Sequence, residues 1–260
     1  MTGAKQGGGK IPLVGRAAVL SDVHGNLPAL RAVLADIRRA EVDLVVCLGD
    51  VVAGPLPVET LRELSAVHEP LLCVRGNADR EVVAVRDGEV APGDVPPDSA
   101  WGGQALTPEG RDLLAGWPAT ARIEHRELGM VVACHATPRS DEEIVTERTP
   151  DELLRDAFGD LDARLVVVGN THMQFDRTVD GLRIVNVGSV GMAYGPPGAY
   201  WALLGDLEVE LRRTDYDRVA AAEEIRERST WPEAERFASR YVLMPPSREE
   251  ALDAFHQHDA

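Results

Sequence analysis

The chain has 260 residues, 44% of them hydrophobic, and 43 acidic side chains against 27 basic ones give it a formal net charge of −16. That length supports one large domain with a substantial core. That charge opposes general affinity for nucleic-acid backbones and leaves an anionic ligand in need of a local cationic attractor, for which bound metal is the obvious candidate.

Residues 1–16 are Gly- and Lys-rich without a long apolar run and read as a flexible leader rather than a signal peptide. Ala17 to Leu20 is a short apolar run that predicts a strand, and Leu30, Val33, Leu34 and Ile37 recur at helical spacing behind Pro28. Leu44 to Leu48 repeats the apolar run, Gly49 to Pro57 forms a loop, and Val58, Leu61 and Leu64 mark a second helix before a third strand at Leu71 to Val74. Such alternation predicts a mainly parallel sheet covered by helices, with ligands at the carboxyl ends of its strands. From Arg80 to Ala105 the periodicity fails while Gly, Pro and Asp accumulate, which predicts a long surface loop beside the site.

Thr107, Pro108 and Glu109 open a helix containing Leu113 and Leu114, and Ile123 to Cys134 reads as a hairpin turning near Leu128 and Gly129. A helix near Asp151 to Phe158 and strands at Leu165 to Val168, Phe175 to Val179, Arg183 to Val187 and Ala199 to Leu204 follow, with Asp180-Gly181 as a turn. The last part is helical: Asp217 to Arg228, a piece opened by Pro232, and a helix begun by Ser247 and Glu250 as a capping box. Trp231, Phe237, Tyr241, Leu243 and Phe255 give this tail apolar surface with which to dock. The expected domain is 17–213, with 214–260 a helical extension packed on it. Cys47, Cys73 and Cys134 each lie in an apolar stretch and read as core thiols, which suits a reducing, cytoplasmic compartment. No run of about 18 apolar residues is present for a membrane helix.

Polar residues recur where apolar strands end: Asp22, His24 and Asn26 in SDVHGN, Asp50 in CLGD, Asn77 and Asp79 in RGNAD, His135 in ACH, and Asn170 and His172 in GNTH. One such residue is usually a cap or turn former. Five successive strand ends, holding three of the seven histidines, are better explained by oxygen and imidazole donors gathered around two cations. His68, His125, His256 and His258 are expected to be solvated or packed, Trp101 to anchor core rather than stack a nucleobase, and Gly195 to Gly198 to be a turn.

This ordered set resembles the calcineurin-like metallophosphoesterases, whose pattern runs D-x-H, G-D, G-N, H and G-H-x-H, and is most similar to the small bacterial phosphodiesterases and dinucleoside tetraphosphatase-like members. The resemblance covers residues 17 to 206. It implies a four-layer α/β sandwich, two mixed sheets with helices outside, and two divalent transition-metal ions such as Mn, Fe, Zn or Ni. It makes Asp22, His24 and His172 ligands of one metal, Asp50 the bridge, and Asn77 and His135 ligands of the other. Asp50, Asn77 and His135 would serve catalysis, in which a hydroxide between the metals attacks phosphorus. Asn26, Gly188 and Ser189 are candidates to line the phosphate site.

Two positions depart from the family pattern. Asn170 replaces the first His of G-H-x-H, so the second metal is expected to keep a weaker oxygen ligand or to lose one, with looser occupancy. Ala78 stands where many members place a histidine that protonates the leaving group, which favours phosphodiesters of acidic alcohols and phosphoanhydrides. The expected substrate is a small phosphorylated molecule, nucleotides included, with neither nucleic acid nor membrane as partner. A catalytically weak metal-binding interaction module and a nuclease are the alternatives.

Overall fold

The computed structural model describes residues 13–159 and 161–258; most of the expected leader, residues 1–12, lies outside them, as do the side chains of His256 and His258. The described strands form two five-stranded sheets. The first has the order β10 (Val209–Thr214), β9 (Ala199–Leu204), β1 (Ala17–Leu20), β2 (Leu44–Cys47) and β3 (Leu71–Cys73). Its β1, β2 and β3 run parallel, with Ala17 opposite Leu44 and Val45 opposite Leu71, whereas β9 joins β1 antiparallel. The second has the order β4 (Thr120–His125), β5 (Gly129–Cys134), β6 (Leu165–Val168), β8 (Leu182–Asn186) and β7 (Phe175–Val179), with β5, β6 and β8 parallel.

Alternation along the strands produces four layers. Ala18 and Leu20 of β1 face α1 (Leu27–Ala40), packing with Leu30, Val33, Leu34 and Ile37. Their neighbours Ala17 and Val19 point the other way, onto Val131, Ala133, Leu165 and Val167 of the second sheet. Val132, Cys134, Val166 and Val168 on the far side of that sheet pack under Leu154, Ala157 and Phe158 of α6 (Asp151–Phe158). Strands β1, β2 and β6 are therefore covered on both faces, which is why they read as continuous apolar runs. Cys47, Cys73 and Cys134 are free, buried thiols.

The segment from Arg80 to Ala105 is not the expected loop. It holds most of α3 (Asn77–Asp87), a 3-10 turn at Pro92–Asp94, and α4 (Pro97–Ala105). Helix α4 meets α3 through its buried glycines, so its contact surface carries no apolar stripe to be read. A Cβ on Gly103 would stand 2.6 Å from Val85 Cβ. Strand β10 is a second departure. Its sequence, VELRRT, buries only its two end residues and forms a sheet edge lined by charged side chains.

Helix α2 (Pro57–Ser65) and α5 (Pro108–Ala115) lie where the apolar spacing places them, the latter capped by Thr107, which accepts from Gly110 N. In the tail, Asp217 caps α7 (Arg218–Arg228), and α8 (Ala234–Phe237) runs into a π-helical turn at Ala238–Leu243. The capping box at α9 (Arg248–His258) forms: Ser247 N donates to Glu250 and Glu250 N donates to Ser247 Oγ. Ala221, Ala222, Ile225, Phe237 and Val242 pack on Leu27, Leu56 and Met192, which belong to loops and helix starts beyond β1, β2 and β8. The tail thus packs at the end of the molecule where those strands deliver their loops.

Gly103→Ala should destabilise the fold by about 1–3 kcal/mol through overpacking against Val85, measurable as a lowered urea midpoint. An unchanged midpoint would mean that α3 and α4 are not tightly packed.

Candidate metal centre

Asp22 and His24 follow β1, Asp50 follows β2, Asn77 opens α3 beyond β3, His135 follows β5, and Asn170 and His172 follow β6, so both sheets feed one location. Backbone bonds lace the loops together. Asp22 N donates to Gly49 O at 3.0 Å, His24 N to Asp50 O at 2.9 Å, and Gly169 N to His135 O at 2.8 Å.

Each imidazole is held from behind. Nδ1 of His24 lies 3.1 Å from Ala53 O, Nδ1 of His135 lies 2.7 Å from Leu48 O, and Nδ1 of His172 lies 2.9 Å from Met192 O. A carbonyl can only accept, so Nδ1 carries the proton in all three rings and the Nε2 atoms face the centre. The carboxylates are held likewise by one oxygen each. Asp22 Oδ2 accepts from Asn170 N at 3.1 Å and Asp50 Oδ1 accepts from Ala78 N at 2.9 Å.

The free atoms converge. The Nε2 atoms of His24 and His172 are 3.2 Å apart, Asp22 Oδ1 is 3.3 Å from His172 Nε2, and Asp50 Oδ2 is 3.4 Å from His135 Nε2 and 3.7 Å from His24 Nε2. Asp22, His24 and His172 form one group with metal-holding geometry, and Asp22, Asp50 and His135 form another. Asp22 Oδ1, Asn77 Oδ1 and His135 Nε2 are buried with no hydrogen-bond partner. Buried polar atoms left without partners are costly, and this set of carboxylate, amide and imidazole fits divalent transition ions.

Titration follows the same crowding. Burial disfavours charge on His135, yet Asp50 and Asp22 outweigh it and push its ring up to about 10. Burial and the neighbouring His172 push His24 down. Burial raises both carboxyls, but His172 beside Asp22 and His135 beside Asp50 hold them below the ordinary range.

Asp22, His24, Asp50, Asn170 and His172 all have positive φ, between 47° and 65°. Only two other non-glycine residues among those described share that conformation, Glu41 at the end of α1 and Asp180 in a turn. Such backbones cost of order 1–3 kcal/mol each and cluster at functional sites.

The remaining candidates have inward partners. Asn26 caps α1, accepting from Ala29 N at 3.2 Å, while its amide donates to Gly191 O at 3.0 Å. Gly188 N donates to Asn186 Oδ1, and Ser189 Oγ donates to Asp22 O and accepts from Met192 N. These donors tie the loops rather than face a ligand. Asn170 places its Nδ2 3.2 Å from Glu143 O, an orientation that leaves its Oδ1 as the atom available to a cation. Outside the centre, His68 is exposed and His125 is buried in its hairpin, its Nδ1 accepting from Glu127 N and Leu128 N.

Asp79, which lies in the RGNAD stretch, is a positioning residue that the ligand pattern alone does not single out. Its carboxylate accepts from Asp50 N at 2.7 Å, Val51 N at 3.0 Å and Gly76 N at 3.1 Å, which joins the Asp50 loop to the Asn77 loop. Burial and the charge of Asp50 push Asp79 up to about 7, while the three N–H donors favour its ionised form. Its signal in the sequence is its place three residues after Gly76, the spacing of a capping box.

Residues 16–207 match the calcineurin-like phosphoesterase superfamily domain. The chain belongs to this superfamily. An uncharacterised protein of Methanocaldococcus jannaschii is 29% identical over 238 residues, spanning 80% of this chain and 90% of that protein. The symmetrical bis(5'-nucleosyl)-tetraphosphatase of Pseudomonas syringae is 33% identical over 118 residues, 44% of this chain and 38% of that enzyme. Among solved structures, a metallophosphoesterase from Sphaerobacter thermophilus aligns with a TM-score of 0.70 at 25% identity, over 88% of this chain and 99% of that one. A hypothetical protein from Pyrococcus horikoshii shares the fold with a TM-score of 0.71 at 19% identity, over 89% of this chain and 99% of that one. Membership of a superfamily of phosphoesterases supports a hydrolase, and no helix among the described residues is long and apolar enough to cross a membrane.

Asp79→Asn replaces one of the two oxygens that accept these three bonds with an amide NH2, and should lower the unfolding free energy by about 1–3 kcal/mol, the cost of a buried N–H left without its acceptor. Chemical denaturation measures it, and wild-type stability in the variant would remove Asp79 from its positioning role.

Proposed function

We propose that the chain is a dimetal phosphoesterase that hydrolyses a phosphodiester or a nucleotide phosphoanhydride. What supports this most is the convergence of three Nε2 atoms with the Asp22 and Asp50 carboxylates, where Asp22 Oδ1 and Asn77 Oδ1 are left without hydrogen-bond partners. In this reading Asp22, His24 and His172 would hold one cation, Asn77, His135 and Asn170 would hold the other, and Asp50 would serve both. Divalent ions of the Mn, Fe, Zn or Ni type would supply the Lewis acidity that makes water nucleophilic near neutral pH and that offsets charge on the phosphoryl oxygens.

The chain's own residues set the rest. The carbonyls behind His24, His135 and His172 keep the rings oriented, and Ala78 and Asn170 backbone N–H groups keep each carboxylate turned inward. Position 78 offers a backbone donor to Asp50 but no side-chain acid, so the leaving group must depart as its own stable anion. A phosphate or an acidic alcohol meets that requirement better than a serine hydroxyl. The tetraphosphatase relative, by its name, acts on a phosphoanhydride of nucleosides, which agrees with this choice. Three buried free thiols suit a cytoplasmic setting.

An interaction module that binds metal but turns over slowly is the second reading, and Asn170 is the feature that favours it. A nuclease is opposed by the net charge of −16.

Asp50→Ala should abolish hydrolysis of an activated diester and lower the bound metal measured by elemental analysis. Full activity in that variant would end the dimetal reading. Asn170→His should tighten the second metal and raise diester turnover about tenfold, a barrier change of about 1.4 kcal/mol. If metal stoichiometry and saturated rate are both unchanged, the asparagine is an adequate ligand and the module reading loses its support.

A further inference from the structure

A cavity of about 140 Å³ adjoins the metal centre, with Asp98, Met192, Trp231, Glu233, Phe237 and Tyr241 in its walls. It shares two walls with the centre. The Asp98 carboxylate is 3.9 Å from His24 Nδ1, and the Met192 carbonyl is the group that orients His172. Five of the cavity's eight lining residues come from the tail, beyond residues 16–207 that match the superfamily.

The aromatic side of the cavity is preorganised. Trp231 and Tyr241 are half-buried and lean on buried Phe237, with ring centroids 6.2 Å and 5.4 Å from it. Tyr241 sits in the π-helical turn, a feature that recurs at functional sites. Arg218 fixes that turn by donating to Leu243 O at 2.8 Å, and Ser229 Oγ ties the tail to Pro55 O, beyond Asp50, at 2.6 Å. Arg240 lies over the Tyr241 ring, 5.9 Å from its centroid, and Arg236, paired with Glu233, brings a cation to the cavity wall.

A larger cavity of about 630 Å³, lined by Arg16, Arg39, Arg212 and Arg213, lies at the amino end of β1, away from this site. Arg39, Arg212 and Arg213 are already paired with Asp36, Glu210 and Asp215. The smaller cavity is the one that a ligand at the metal centre could reach.

We propose that Trp231, Phe237 and Tyr241, with Met192 and Asp98, form a subsite for the aromatic base of a nucleotide whose phosphate lies at the metal centre. Planar heterocycles stack on aromatic side chains, with about 1–3 kcal/mol per base. Asp98 adds an acceptor suited to a ring amino group, which adenine carries. The inference rests on the phosphoesterase reading for the position of the phosphate; the base subsite is tested by binding alone.

Calorimetric titration of the metal-loaded full chain with AMP and with ribose 5-phosphate separates base from phosphate. Wild type should bind AMP at least tenfold more tightly. Tyr241→Leu and Trp231→Leu should each bring that ratio towards one while leaving the ribose 5-phosphate Kd unchanged. Equal affinities in wild type, or a ratio preserved in Tyr241→Leu, would overturn the subsite, and neither outcome depends on whether Trp231→Leu folds. Failure of the phosphoesterase reading shows separately, as absence of diester hydrolysis. An inactive protein that still prefers AMP through Tyr241 would keep the subsite and lose the hydrolase.

Discussion

Two buried carboxylates and three imidazole Nε2 atoms crowd one volume where the ends of both sheets meet, and the cost of burying these polar groups is what the surrounding structure must offset. Nothing in that volume donates to Asp22 Oδ1, Asn77 Oδ1 or His135 Nε2. The two Nε2 atoms at 3.2 Å and the carboxylate–imidazole pairs at 3.3 and 3.4 Å are each restrained from outside. The restraints are backbone N–H groups on the carboxylates, backbone carbonyls on the rings, and left-handed dihedrals at Asp22, His24, Asp50 and His172. A cation held here would give Asp22 Oδ1 and Asn77 Oδ1 the positive partner they lack.

The sandwich makes this possible by bringing strand ends from two sheets together. Close approach is part of the cost. A Cβ on Gly76 would fall 2.1 Å from Asp50 Oδ1, and one on Gly169 would fall 2.0 Å from Ser21 Oγ, so the glycines in RGNAD and VGN are needed for space rather than for dihedral freedom. Asp79 then joins the loops after β2 and β3 through three N–H groups, while Ser189 and Gly191 join the loop after β8 to Asp22.

Much of this was legible in the residues. Runs such as AAVL, LVVC and LVVV announce strands buried on both faces, and the polar residues that end them are the ones the structure gathers. Helix α4 was illegible because glycines, not an apolar stripe, make its contact with α3, and β10 because a charged edge strand hides its period. The donors of Asn26, Gly188 and Ser189 also turn inward, a fact that depends on loop geometry rather than on residue type. Left-handed backbones leave only a faint trace, in that Asp, Asn and His tolerate them better than most residues.

All three rings are oriented by main-chain carbonyls, of Ala53, Leu48 and Met192. The more familiar arrangement, an aspartate behind the histidine, can be lost by a single codon change. Here the orienting atoms are present whatever side chain occupies those positions. Substitution at 48, 53 or 192 can alter packing but cannot delete the acceptor, so the neighbourhood of the centre is free to diverge while its tautomers are inherited with the chain trace.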